Sequence, residues 1–308
     1  MAKSLLLFLF MLLFKLNGLA QQTSAIPEDV KRIVFLGNSI TYAGHYISYV
    51  ETYFRLKHPE FELEWINVGL PSETVSGLSE EGHAGGDFPR PDLHERLDRV
   101  FEQLKPDLVF VNYGMNDGIY LPLDDSRFLK YKNGINWLSS KIDSIDAKAV
   151  YVTSPIYDSK KGEAYANVLD FYATWLISKR YSDQWQVVDI HWPMRKFLED
   201  RRKADSSFFL AEDGVHPNEV GHWLMAKEIL LFLGETEVRD FDDFQSAIEP
   251  FSEGEALFQL IQKRQFLLRD AWLSSTGHLR PGIKQGLPVE EAERKAKEIE
   301  AQIQLILK

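Results

Sequence analysis

Five short runs of apolar, β-branched and aromatic residues restrict the folding of this chain more than any other feature. They are RIVFL (32–36), FELEWINV (61–68), DLVFVN (107–112), KAVYVT (148–153) and WQVVDI (185–190). Several run on without alternating apolar and polar positions, which is how a strand reads when both its faces are covered. Amphipathic stretches lie between them. In RPDLHERLDRVFEQLKP the residues Leu93, Leu97, Val100, Phe101 and Leu104 recur at helical spacing until Pro106 stops them, and Tyr165, Val168, Leu169, Tyr172 and Leu176 repeat the pattern before the fifth run. Strand and helix in alternation predict a doubly wound parallel sheet covered on both sides.

After about Leu233 the alternation stops. Residues 241–273 and 288–308 both read as helical, the second with Ala292, Ala296, Ile299, Ile303 and Ile306 on one stripe. Pro281-Gly282 and Gly286-Leu287-Pro288 divide them. The expected organisation is a main α/β domain over 28–235 and a helical extension over 236–308 packed on it. No internal repeat is present.

With 308 residues, 44% of them hydrophobic, the chain can bury a sizeable core, and disorder is excluded. Residues 1–20 carry Lys3, an apolar stretch from Leu5 to Phe14, then Gly18-Leu19-Ala20, the layout of a secretory signal cleaved near Ala20. Lys15 interrupts the apolar run, which disfavours a membrane anchor over about 20 residues. The chain has no cysteine, so neither disulfides nor thiolate metal sites are available, and a bacterial periplasmic or secreted location is expected. Loss of Lys3 and Lys15 takes the formal charge from −11 to −13 (−11 minus 2). That balance disfavours nucleic acid and stable association with acidic membranes, and suits a neutral ester substrate.

In an open α/β sheet, ligand-binding groups collect beyond the carboxyl ends of the strands. After the first run stands Gly37-Asn38-Ser39, after the second Asn67-Val68-Gly69-Leu70-Pro71-Ser72, and after the third Tyr113-Gly114-Met115-Asn116-Asp117-Gly118; Asp213 precedes His216 by three residues past the fifth. Each piece has a structural reading: Ser39 as a helix cap, the glycines as turn residues, His216 as a surface group at a helix start. Together they supply acyl-transfer chemistry. A serine hydroxyl needs a histidine to take its proton, and the imidazolium needs a carboxylate. The tetrahedral oxyanion needs donors, for which the backbone N–H groups of Ser39 and Gly69 and the Asn116 amide are candidates.

In these four blocks, LGNSIT, NVGLPSE, YGMND and DGVHPN, the sequence resembles the SGNH hydrolases, the GDSL-type esterase and lipase superfamily. The likeness covers about 30–235. It implies a flavodoxin-like three-layer α/β/α fold with strand order 2-1-3-4-5, a Ser39-His216-Asp213 triad, and no metal or organic cofactor. Asn38 departs from the family's aspartate in the first block. The resemblance does not imply a substrate, since the superfamily acts on lipids, thioesters and acetylated sugars alike.

Other residues compete. Asp189 and His191 could share one strand face, and Ser154 and Ser72 are rival nucleophiles by position. A Gly-x-Ser-x-Gly elbow and a His-Glu-x-x-His spacing are both absent. The glycine-rich loop around His83, with Tyr113, Tyr120, Tyr42 and His45, offers candidate pocket walls, and Asn38, His83, Tyr113 and Tyr120 are taken as substrate-binding. The polar character of these loops predicts a small acyl ester, acetyl on a carbohydrate, as substrate. A lipid or thioester acylhydrolase and a carbohydrate-binding protein without turnover are the alternatives.

Overall fold

The computed structural model describes residues 26–308; the expected export signal lies outside the described residues. Strands β1 (Arg32–Gly37), β2 (Glu64–Asn67), β3 (Leu108–Asn112), β4 (Lys148–Val152) and β5 (Gln186–Val188) form one sheet in the order β2-β1-β3-β4-β5. Every pairing is parallel, with Phe35 opposite both Asn67 and Phe110. Consecutive residues Ile33, Val34, Phe35 and Leu36 are all fully buried. Successive side chains on a strand point to opposite faces, so both faces of β1 are covered. Phe35 stacks on Phe110 at 4.9 Å and on Trp65 at 6.0 Å, tying three strands together in the core.

The fifth strand is shorter than its apolar run. Thr153 Oγ1 accepts from the backbone N–H of Ile190 (2.9 Å) and His191 (3.0 Å), which draws the chain out of the sheet after Val188 and starts a helix. Ten α-helices follow the strands among the described residues: α1 (Ser39–Ala43), α2 (His45–Lys57), α3 (Leu97–Leu104), α4 (Asp125–Asp143), α5 (Glu163–Ser182), α6 (His191–Ala204), α7 (Glu219–Phe232), α8 (Phe244–Ile248), α9 (Gly254–Thr276) and α10 (Val289–Ile306). The stripe read as one helix from Leu93 divides at Arg96. Leu93–Glu95 is a separate 3₁₀ turn capped by Asp92, and α3 ends at Lys105 with φ 46° ahead of Pro106. None of these helices is long and apolar enough to span a membrane among the described residues.

The last helices bind the domain through a polar seam. Glu51 on α2 is fully buried, accepts from Gln265 Nε2 at 2.6 Å and pairs with Arg264, both on α9. Ser48 Oγ donates to Gln265 Oε1 at 2.7 Å, and Arg55 and Arg264 both reach Glu300 on α10. Beside this seam Leu257, Ile261, Ile299 and Ile303 join α9 to α10 in a small apolar core. A buried charge is tolerated only when paired, so each member of the seam fixes the others.

Candidate active site

The sheet order reverses direction between β1 and β3, and the groups that follow those strands converge at that switch point. Ser39 is the first residue of α1. The strand can turn so abruptly into the helix because residue 37 is glycine: a Cβ there would lie 2.2 Å from Thr41 Oγ1 and 2.8 Å from Asn112 O. Asn38 is buried, and its Oδ1 accepts from Ile40 N at 3.0 Å. Its side chain caps α1, a structural role where a substrate-binding one was expected.

The segment carrying His216 is organised locally. Asp213 Oδ1 accepts from the N–H groups of Val215 and His216, both at 2.8 Å, while Oδ2 accepts from His216 Nδ1 at 2.6 Å. Gly214, with φ 86°, allows the turn. Its carbonyl accepts from Asp158 N at 3.0 Å, and Asp158 is held by Arg202 at 2.6 Å, so the loop after β4 braces the turn. His216 Nε2 lies 2.8 Å from Ser39 Oγ. Since Nδ1 donates to a carboxylate, Nε2 is the acceptor and Ser39 the donor. Burial pushes the Asp213 carboxyl up, but hydrogen bonds from the His216 ring and from the two backbone N–H groups outweigh it, and the net shift is downward. The acid is therefore ionised at neutral pH. The side chains of His216 and Asp213 are 53% and 54% exposed, so this chain of hydrogen bonds opens directly to solvent.

Asn116, in the loop after β3, is buried. Its Nδ2 donates to Glu73 O at 3.1 Å and its Oδ1 accepts from Tyr120 Oη at 3.0 Å, which leaves one amide hydrogen without a partner among the described residues. Gly69 behaves otherwise. Its N–H donates to Asn67 Oδ1 at 2.9 Å, and a Cβ would lie 2.4 Å from Tyr42 N. Residue 69 is glycine so that this loop can press against the second half of α1; its N–H is already engaged, and the donor role expected for it does not fit this geometry.

Two more expected wall residues are internal. Tyr113 is 1% exposed and donates to Glu73 Oε2 at 2.6 Å, while Arg96 holds both oxygens of the same carboxylate at 2.6 and 2.7 Å. Burial pushes both the Glu73 and the Tyr113 groups up, against the pull of Arg96. Tyr113 therefore supports the loop after β2 from beneath. His83 is folded into its own loop, with Nδ1 3.2 Å from Glu80 Oε1 and its ring edge-on to Phe88 at 5.3 Å. Tyr120 is partly exposed and sits against Asn116.

The rival pair is separated. His191 Nε2 bonds Asp170 at 2.9 Å, whereas Asp189 accepts from Thr153 Oγ1 and Trp192 N. Ser154 is buried and donates to Pro155 O, and Ser72 occupies a left-handed turn, φ 69°. Neither has a histidine beside its hydroxyl in the hydrogen-bond network. Sequence reasoning missed Asp117, which reads as part of a turn but gathers Val75 N, Ser76 N and Gly114 N on its two oxygens, all at 2.8 Å. It missed Arg96 although that residue interrupts the buried stripe between Leu93 and Leu97. It also missed Tyr157, partly exposed between the Tyr120 ring at 6.0 Å and Gly214.

From the extension, Arg269 lies over Tyr42 at 4.1 Å, donates to Tyr42 O at 2.8 Å and also covers Phe266. Phe266 meets the edge of His45 at 6.2 Å. The segment that follows Ser39 is thus walled by α9. Two cavities of about 640 and 790 Å³ lie against α9 and α10, and neither is lined by Ser39, His216 or Asn116.

The arrangement is that of a serine hydrolase on a flavodoxin-like sheet, and the chain belongs to the GDSL-like lipase/acylhydrolase family, whose model matches residues 35–224. The fold is shared with a gut microbial diltiazem-metabolizing enzyme at a TM-score of 0.58 and 21% identity, over 68% of this chain but only 49% of that one. A catalytic mutant of Axe2, an acetylxylan esterase from Geobacillus stearothermophilus, aligns at a TM-score of 0.54 and 20% identity, over 68% of this chain and 96% of its own. An alpha/beta hydrolase enzyme from the metagenome of Lake Arreo aligns at 0.53 and 22%, over 66% and 95%. No curated protein matches the sequence.

Proposed function

We propose that this protein is an exported serine esterase that removes small acyl groups, acetyl above all, from carbohydrate. The observation that carries the catalytic reading is the continuous chain Ser39 Oγ, His216 Nε2, His216 Nδ1, Asp213 Oδ2, with links of 2.8 and 2.6 Å. Ser39 Oγ attacks the ester carbonyl as its proton passes to His216 Nε2, and ionised Asp213 stabilises the imidazolium. The carbonyl oxygen becomes an oxyanion, for which the Ser39 N–H and the free Asn116 amide hydrogen are donors. Ser72 is a better third donor than Gly69. Its N–H has no partner among the described residues, and its neighbours hold Gly37 O through Leu70 N and Asn116 through Glu73 O. Collapse expels the sugar hydroxyl with the proton from His216. Water then attacks the acyl-serine by the same route, giving the free acid and restoring Ser39.

The substrate class is supported by the openness of the site. A half-exposed His216 and Asp213 leave room for a bulky hydrated leaving group, and Tyr157 offers an aromatic face beside Gly214. A long acyl chain needs an enclosed apolar channel, and the two cavities near the extension do not include the serine. One of the structures sharing this fold is called an acetylxylan esterase, which agrees with the reading. A binding protein without turnover has no use for a serine hydrogen-bonded to a histidine. The test is a panel of activated esters from acetate to octanoate beside acetylated oligosaccharides, with acetate release followed by mass spectrometry and Ser39→Ala as control. Rates should fall steeply with chain length. Preference for octanoate would transfer the protein to the lipid class, and turnover by Ser39→Ala would end the serine reading.

A further inference from the structure

Ile119 and Tyr120 both stand in the left-handed region, at φ 48° and 57°. For a β-branched residue that conformation is a genuine outlier, and it persists where the surroundings over-determine it. Here it doubles the chain back: Ile119 N donates to Asn116 O at 2.9 Å, and the Tyr120 hydroxyl arrives at Asn116 Oδ1. The Glu73 carbonyl can only accept, so Asn116 Nδ2 must face it; Oδ1 then faces Tyr120, which must donate. Tyr120 is gripped in turn. The Arg90 guanidinium lies 5.1 Å above its ring, and Glu80 holds that guanidinium through both carboxylate oxygens, each at 2.6 Å.

We infer that Tyr120, clamped by Arg90 and Glu80, is a positioning residue for the Asn116 amide. The hydroxyl fixes the plane of the amide and, by drawing on its carbonyl oxygen, strengthens the free N–H as a donor to the oxyanion. Burial pushes the Tyr120 phenol up, which keeps it a neutral donor throughout the working range of an esterase. The inference rests on the oxyanion role proposed for Asn116. It assigns Glu80 and Arg90, ten residues apart on a glycine-rich loop, a part in turnover without contact with substrate.

A double-mutant cycle on the full chain separates positioning from simple packing. With an activated acetate ester, Tyr120→Phe should lower kcat about tenfold at unchanged KM, the size of one lost hydrogen bond. Asn116→Ala should lower kcat about 10²–10³-fold, and adding Tyr120→Phe to it should cost nothing more. Glu80→Gln, which loosens Arg90, should cost about threefold in kcat and be equally silent in the Asn116→Ala background. Losses that multiply, or an effect on KM alone, overturn the inference; should Tyr120→Phe not fold, Glu80→Gln decides by the same criterion. Turnover by Ser39→Ala would refute the serine reading instead, a result that no variant at 80, 116 or 120 can produce.

Discussion

Acid should unfold this protein through one histidine. His222 lies on α7, six residues past His216, and is 3% exposed, with its ring parallel to Tyr46 at 6.2 Å and edge-on to His45 at 5.1 Å. Its Nδ1 is buried without a partner among the described residues. Burial, reinforced by the nearby His45 and His216, holds its pKa down to about 3 from an ordinary 6.5. Between those values the unfolded chain binds a proton that the folded chain refuses, so stability is complete above about pH 6.5 and drains away as pH falls toward 3. The slope is about 1.4 kcal/mol per pH unit, which amounts to roughly 3 kcal/mol by about pH 4.5, a large part of a typical total of about 5–15. His222→Phe keeps the stack on Tyr46 and cannot take the proton. Urea unfolding of both proteins at about pH 7 and pH 4.5 should show the wild type losing roughly 3 kcal/mol more than the variant. The surrounding carboxylates are common to both proteins, and His45, which burial also pushes down, stays buried in both but loses its coupling to His222 in the variant. Parallel pH dependence of the two would refute the reasoning.

Arg96→Met should cost about 3–5 kcal/mol in chemical denaturation, because it strands the buried Glu73 carboxylate, whereas Arg96→Met with Glu73→Leu should recover most of that loss. If the single change proved harmless, the carboxyl would have to be protonated in the fold. Removing residues 245–308 leaves Glu51 and Arg55 without Gln265, Arg264 and Glu300, so the truncated chain should melt well below the full chain or aggregate. An equally stable, soluble truncation would show the seam to be dispensable.

What the sequence disclosed and what it hid divide by range. The strands announce themselves because burial on both faces needs unbroken apolar runs such as LVFV before Asn112. Asp213 and His216 are legible because their geometry closes within one turn, and Ser39 because it follows a strand through a glycine that sterics demand. Gly69 misled because one letter serves two physical needs, a close approach of backbone to ligand and a close approach of loop to helix; only the neighbour, Tyr42 N, tells which applies. Tyr113 misled because its partner Glu73 is 40 residues away, and burial of a phenol cannot be read locally. Nor does any letter mark Ile119 and Tyr120 as left-handed, since neither is glycine or asparagine.

The polar seam between α2 and α9 has a consequence for where else this extension can occur. Apolar helix faces tolerate sliding, but Ser48, Glu51 and Arg55 recur at intervals of three and four and meet Arg264, Gln265 and Glu300 in an interlocked set in which Gln265, Glu51 and Glu300 each hold two partners. A shift of α9 by one turn would take Arg264 and Gln265 from the buried Glu51 and leave it only the longer 3.4 Å contact with Arg55 on its own helix. The six residues therefore act as a lock whose two halves must travel together. A related hydrolase domain with Ser-x-x-Glu-x-x-x-Arg on the helix after its nucleophile should accept this pair of helices when they are grafted on, and one lacking that spacing should reject them.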